Sequence, residues 1–231
     1  LVGDIHWSMA LRRISGEEVA VAMDLFGAAE GAYLAAAGQA PSDKRIYLGL
    51  AGLCGQAAQT AALYAGADPT AWIDRMLAYA RKAALVDPSD PFADCELASA
   101  YLQMGQYQRA MNRDPREALG RSLEFARSSL AKKADFSDGY VVLGAAQLAL
   151  GAFETSAGRD ATTVLRDAIR HLRRGAELDP DNRDRFAIEL GSAFYAQARQ
   201  DRVLGRDPRP SLEVSVAHLR RALALHPAAP G

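Results

Sequence analysis

The chain has 231 residues, 49% of them apolar and only 7% aromatic, with a net charge of −1 and an isoelectric point near 6.5. That apolar share supports a continuous core, and abundant alanine favours closely packed helices. The balanced charge argues against generic nucleic-acid binding, which needs a basic excess to neutralise phosphates.

Two cysteines, Cys54 and Cys95, lie in no Cys-x-x-Cys pair and near no histidine at metal-ligand spacing. They read as two packed thiols of a cytoplasmic protein, the alternative being one disulfide. No metal and no cofactor is expected. The alanine-rich stretch 20–37 is interrupted by Asp24 and Glu30, so no membrane-spanning run and no membrane insertion are expected. The chain begins Leu1-Val2-Gly3 without a signal-peptide pattern and reads as a piece of a longer protein.

From the N-terminus, residues 1–41 read as a degenerate helix pair. Its second helix, about 17–37, carries Leu25, Ala29, Ala32 and Ala36 on one face, and Glu17-Glu18 suit a helix start. Four anchors follow: Gly66-Ala67-Asp68-Pro69, Asn112-Arg113-Asp114-Pro115, Gly158-Arg159-Asp160-Ala161 and Gly205-Arg206-Asp207-Pro208. Their aspartates are spaced by 46, 46 and 47 residues. Asp caps a helix N-terminus and Pro is favoured at the first helical position, so each anchor starts a helix.

Downstream of each anchor one helical face repeats in register. It comprises Ile73, Leu77, Ala80 and Ala84, then Leu119, Leu123, Ala126 and Leu130. The third copy is Leu165, Ile169, Leu172 and Ala176, and the last is Leu212, Val216, Leu219 and Leu223. Asp87-Pro88, Asp179-Pro180 and His226-Pro227 stop three of these helices, whereas the second copy has Lys133-Ala134 there. Upstream of the anchors, Leu97-Ala98 precedes Tyr101, Leu143-Gly144 precedes Gln147, and Leu190-Gly191 precedes Phe194. The small residue admits a close helix neighbour and the larger one fills the gap beside it.

Four pairs result, 42–87, 88–133, 134–179 and 180–226, read with 1–41 as one domain spanning 1–231. No pair can bury its apolar face alone, so the pairs must stack. Leu97-Ala98…Tyr101…Ala126 and Leu190-Gly191…Phe194…Pro227 resemble tetratricopeptide repeats. The resemblance implies an all-α, right-handed superhelical solenoid of antiparallel helix pairs, about ten helices in all. The standard repeat has about 34 residues, so these longer units imply longer helices or longer turns. Gly105 and Gly151 sit where the standard unit would turn, while Ala198 in the last unit favours longer helices. The long unit with a Gly-Arg-Asp-Pro-Arg-like turn is also similar to repeat tails of bacterial serine/threonine protein kinases, although no kinase motif is present.

The resemblance implies a concave groove lined by the first helix of each pair. Carried over, it is lined by Phe92, Cys95, Ser99, Leu102 and Gln103, by Val141, Ala145 and Leu148, and by Arg185, Ile188, Ser192 and Tyr195. Asp138 and Arg185 are the charged residues at one rim. The Lys/Asn/Arg clamp with which some members grip a terminal carboxylate is missing, because Cys95, Glu96, Val141, Val142, Ile188 and Glu189 hold those places. The expected partner is therefore an amphipathic helix or extended apolar segment. If the solenoid winds tightly, the same residues are core and the chain is a spacer or self-association module.

Arg81, Arg127, Arg173 and Arg220 recur thirteen residues after each anchor aspartate. They form either a basic stripe for an acidic partner or repeated ion pairs between neighbouring units. His171 and His218 occupy matching second helices and read as surface residues. Nothing arranges a catalytic group, so no enzyme is expected. The amphipathic last helix, 212–225, implies that the chain continues or that an exposed edge pairs with a second copy.

Overall fold

A computed structural model describes residues 2–13 and 18–225, with the side chains of 182–184 and 225 excepted. Glu17 and the His226-Pro227 stop lie outside the described residues. Among the described residues the chain forms ten α-helices and no strand. It divides into two compact units, 1–113 and 114–231.

The first unit holds α1 (Val2–Arg13), α2 (Val19–Gln39), α3 (Lys44–Leu63), α4 (Thr70–Val86) and α5 (Pro91–Ala110). The second holds α6 (Arg116–Lys132), α7 (Ser137–Ser156), α8 (Thr162–Leu178), a 3₁₀ turn (Pro180–Asn182), α9 (Arg183–Val203) and α10 (Arg209–Leu225). Within each unit every helix packs on its neighbour in sequence, and α3 also meets α5 as α7 meets α9. The added length of each repeat went into helices: Gly105 and Gly151 lie inside α5 and α7.

The anchors work in two halves. Gly66, Asn112, Gly158 and Gly205 take φ of 58°, 55°, 73° and 69°, the left-handed conformation that ends a helix. The next residue then turns its N–H back onto the finished helix: Ala67 donates to Ala61 O at 2.9 Å and Arg206 to Asp201 O at 2.7 Å. The aspartate that follows accepts the N–H two residues ahead, from Thr70, Arg116, Thr162 and Arg209 in the four copies. In the two Asp-Pro-Arg copies the arginine also folds back, so that the side chain of Arg116 holds Asp114 and that of Arg209 holds Asp207. The bonds from Arg116 hold the Asp114 carboxyl down at about 2. The prolines stand one residue before the first helical residue, a shift of one from the expected place.

Ile73, Leu77 and Ala80, then Leu119, Leu123 and Ala126, then Leu165, Ile169 and Leu172 are all buried. On α10 the matching Leu212, Val216, Leu219 and Leu223 are exposed, Leu223 by 70%. Glycine sets the close approaches: a β-carbon on Gly144 would stand 2.6 Å from Leu172 Cγ, and one on Gly191 would stand 2.7 Å from Leu219 Cγ. Each glycine thus receives the leucine twelve residues after the next anchor aspartate.

The N-terminal pair departs from expectation. In α2 the buried residues are Ala22, Phe26, Ala29, Glu30 and Ala37, a face rotated from the one expected. With 21 residues and a mean hydropathy of 1.3, α2 is also long and apolar enough to cross a membrane by length and composition, whereas the sequence reading expected no such run. Its Glu30 is a seat for α4: Arg75 Nη1 donates to it at 2.9 Å and the Tyr79 hydroxyl at 2.7 Å. Burial, and then the bond to Glu30, push the Tyr79 hydroxyl pKa up.

Candidate functional site

The twelve groove candidates fall on α5, α7 and α9, the first helices of three pairs. In the first unit, Asp90 accepts the Phe92 N–H at 2.9 Å and starts α5. Phe92 is then 47% exposed at the first turn, whereas Cys95 is buried. Ser99, Leu102 and Gln103 are half-buried. Gln103 also lines a cleft of about 510 Å³ between α3, α4 and α5, whose apolar wall includes Ala62, Pro69 and Ile73. At the other end of these helices Lys44 pins the start of α3 to the start of α5, donating to Asp87 at 2.6 Å and pairing with Asp90 at 2.7 Å. Lys44 and Ser89 together hold the Asp87 carboxyl at about 2.

In the second unit, Val141 is buried, and Ala145 and Leu148 are half-buried. Leu148 packs against two core clusters, one that includes Ile169, Leu172 and Phe194 and one that includes Leu165 and Ala196. The helix α9 divides its faces sharply: Phe186, Leu190 and Phe194 are in the core, while Ile188 and Tyr195 are 49% and 54% exposed. Arg185 and Ser192 share the exposed side with them. Arg185 Nη1 donates to Asp138 at 2.7 Å, so the two rim charges join α7 to α9.

The candidates thus separate physically. Cys95 and Val141 are core residues, because α5 and α7 are each flanked by helices on more than one side. Phe92, Ile188, Ser192, Tyr195 and Arg185 face solvent. Cys54 and Cys95 are free and buried, and burial pushes the Cys54 thiol up to about 12, which leaves it protonated and unreactive at neutral pH. Among the described residues no group of three or more His, Cys, Asp or Glu could hold a metal.

Two of the four recurrent arginines, Arg81 and Arg173, find aromatic partners on the following first helix, where ion pairs between neighbouring units were one expectation. Arg81 donates to the Tyr101 hydroxyl at 3.2 Å, and the Arg173 guanidinium lies over the Phe194 ring at 5.5 Å. The two histidines occupy equivalent niches and are half-buried, not surface residues. His171 Nδ1 donates to Gln147 Oε1 at 2.7 Å, and His218 stacks on Phe194 with centroids 5.7 Å apart. Gln147 and Phe194 are equivalent in the repeat, so one contact is made once in polar and once in aromatic form. The sequence marks this as one exchange at matched positions, Gln147 to Phe194, facing a histidine kept at 171 and 218.

No family model matches the chain, and no curated relative matches it. Among solved structures, the crystal structure of MamA protein is similar at a TM-score of 0.39 and 12% identity, covering 100% of this chain and 98% of that chain. The fold class rests on the helices themselves, which form an all-helical array of consecutively packed elements of the tetratricopeptide kind.

Proposed function

We propose that the chain is a non-catalytic protein-interaction scaffold that binds an amphipathic helix or extended apolar segment of a partner along its first helices. One observation carries this reading: α9 turns Ile188 and Tyr195 to solvent on the face opposite its core residues. Large apolar groups lined up in water are a recurrent mark of docking surfaces. Phe92 offers the same kind of group on α5. The long unit and its Asp-Pro-Arg turns support a place in a larger signalling protein, such as the regulatory or docking region of a bacterial serine/threonine kinase. The buried free thiols suit a cytoplasmic setting.

A second reading, a spacer or self-association module, is favoured by the exposed apolar face of α10 and by the burial of Cys95 and Val141. Proximity labelling or pull-down with wild type and with Ile188→Glu/Tyr195→Glu separates the two. A specific partner lost by a variant of unchanged helicity supports the scaffold. Unchanged capture, or a concentration-dependent dimer broken by Val216→Glu/Leu223→Glu, supports the module.

A further inference from the structure

The outer side of α8 carries Arg166, Arg170, Arg173 and Arg174, at positions i, i+4, i+7 and i+8, which fall on one helical face. Arg170 is neutralised by Asp167 at 3.1 Å and Arg174 by Glu177 at 3.0 Å. Arg166, Arg173 and, on α10, Arg221 have no carboxylate partner among the described residues. Two clefts flank Arg173, both within the second unit. One, of about 480 Å³, is walled by the four α8 arginines and floored by Ile169 and Phe194. The other, of about 360 Å³, adds Arg221 and His218 over Phe186 and Leu190. Arg173 and Glu177 line both, so the clefts form one track with a basic rim and an apolar floor.

From this arrangement we infer that the α8–α10 face is a second docking surface, and that its occupant is an acidic segment of a partner protein whose carboxylates meet Arg166, Arg173 and Arg221 while its apolar side chains fill the two clefts. Guanidinium forks bind carboxylates in two-point fashion, and they do so best beside an apolar floor that excludes water. Arg173 is preset for this: its stacking on Phe194 fixes the guanidinium in place before any partner arrives. His218 reports the unneutralised charge, since burial and then the nearby Arg173 and Arg221 push its pKa down. The surface uses α8 and α10 over the core face of α9, and it does not depend on the exposed Ile188 and Tyr195 stripe proposed above.

The test is fluorescence anisotropy with the full chain and a labelled synthetic peptide in which glutamates flank leucine and phenylalanine. The counterpart peptides carry lysine for glutamate, or serine for leucine and phenylalanine. Arg166→Glu/Arg173→Glu should weaken binding about tenfold or more, with most of the loss in dissociation rate where the charge is buried by the peptide. The charge-matched control Arg12→Glu/Arg109→Glu, in the first unit, should bind as wild type does. Arg166→Gln/Arg221→Gln, whose guanidiniums hold no ring, should also weaken binding while helicity stays unchanged, which separates loss of the site from loss of fold. Equal binding of the lysine peptide, equal weakening by the control pair, or binding to phosphatidylserine vesicles with none to the peptide would each overturn the inference.

Discussion

Leu172 fills the space that a side chain on Gly144 would occupy: a β-carbon there would meet Leu172 Cγ at 2.6 Å and Cδ2 at 2.8 Å. The same pairing recurs one repeat later between Gly191 and Leu219. Gly144→Ala forces α8 away from α7 or drives Leu172 off its rotamer. Overpacking of this kind costs about 1–3 kcal/mol. Urea unfolding of Gly144→Ala should show that loss, although alanine is the better helix former. A neutral or stabilising result would mean that the two helices can separate freely.

Glu30 is the polar centre of the first unit. It accepts from both Arg75 and Tyr79, and its removal leaves the Tyr79 hydroxyl without its acceptor. Glu30→Ala should destabilise by about 1–3 kcal/mol, the usual cost of an orphaned buried group. Glu30→Gln keeps an acceptor for Tyr79 and should lose less. Thermal melts followed by circular dichroism would rank the two, and equal loss in both would place the effect in the charge of the Arg75 pair.

His171 and His218 are both held below the ordinary histidine value by burial first, with Arg170 the next cause at His171 and Arg173 at His218. A ring whose folded pKa is depressed favours the folded state only while neutral. The stability contributed is therefore present above about pH 6.5, the unfolded value, and is lost as pH falls through the folded pKa. Ring-proton NMR titration should place both midpoints below 6.5, and Arg173→Gln should raise that of His218 while leaving His171 in place.

Leu148 and Tyr195 were both drawn to the groove by sequence, yet they should respond differently to a charge. Leu148 touches two core clusters, and Leu148→Glu places a carboxylate among apolar groups at a cost of several kcal/mol. Helicity should fall. Tyr195→Glu alters a residue that is more than half exposed, and helicity should hold. Far-UV circular dichroism at matched concentration decides both.

The repeat was legible because its signals are local. A left-handed residue, an Asp two places on and a following helical face each act within a few bonds, and so Gly66, Asp68 and Ile73 announce α4 without reference to the rest. The small residue at Gly144 and Gly191 was legible for the same reason, since its neighbour is set by the period. The candidate site was only partly legible. Period places Val141 and Ile188 at equivalent positions, but one is buried and the other exposed, because exposure depends on which helices lie beside each copy. The Glu30 seat was hidden for a related reason: its partners Arg75 and Tyr79 lie 45 and 49 positions away, and no local rule pairs them. In α2 the long apolar composition masked which stripe would face inward, and the buried carboxylate fixed the rotation.

Within each unit the extensive contacts link a helix to the next one or the next but one. Such a chain closes only short loops as it folds, and low contact order of this kind goes with fast folding. Among the described residues of each unit, no strand or long crossover ties distant helices together. In a sample of this 231-residue chain, opening should therefore proceed from α10, whose apolar face is exposed, inward toward α7. Amide exchange read helix by helix would then show a gradient of protection along the second unit, in place of one cooperative value.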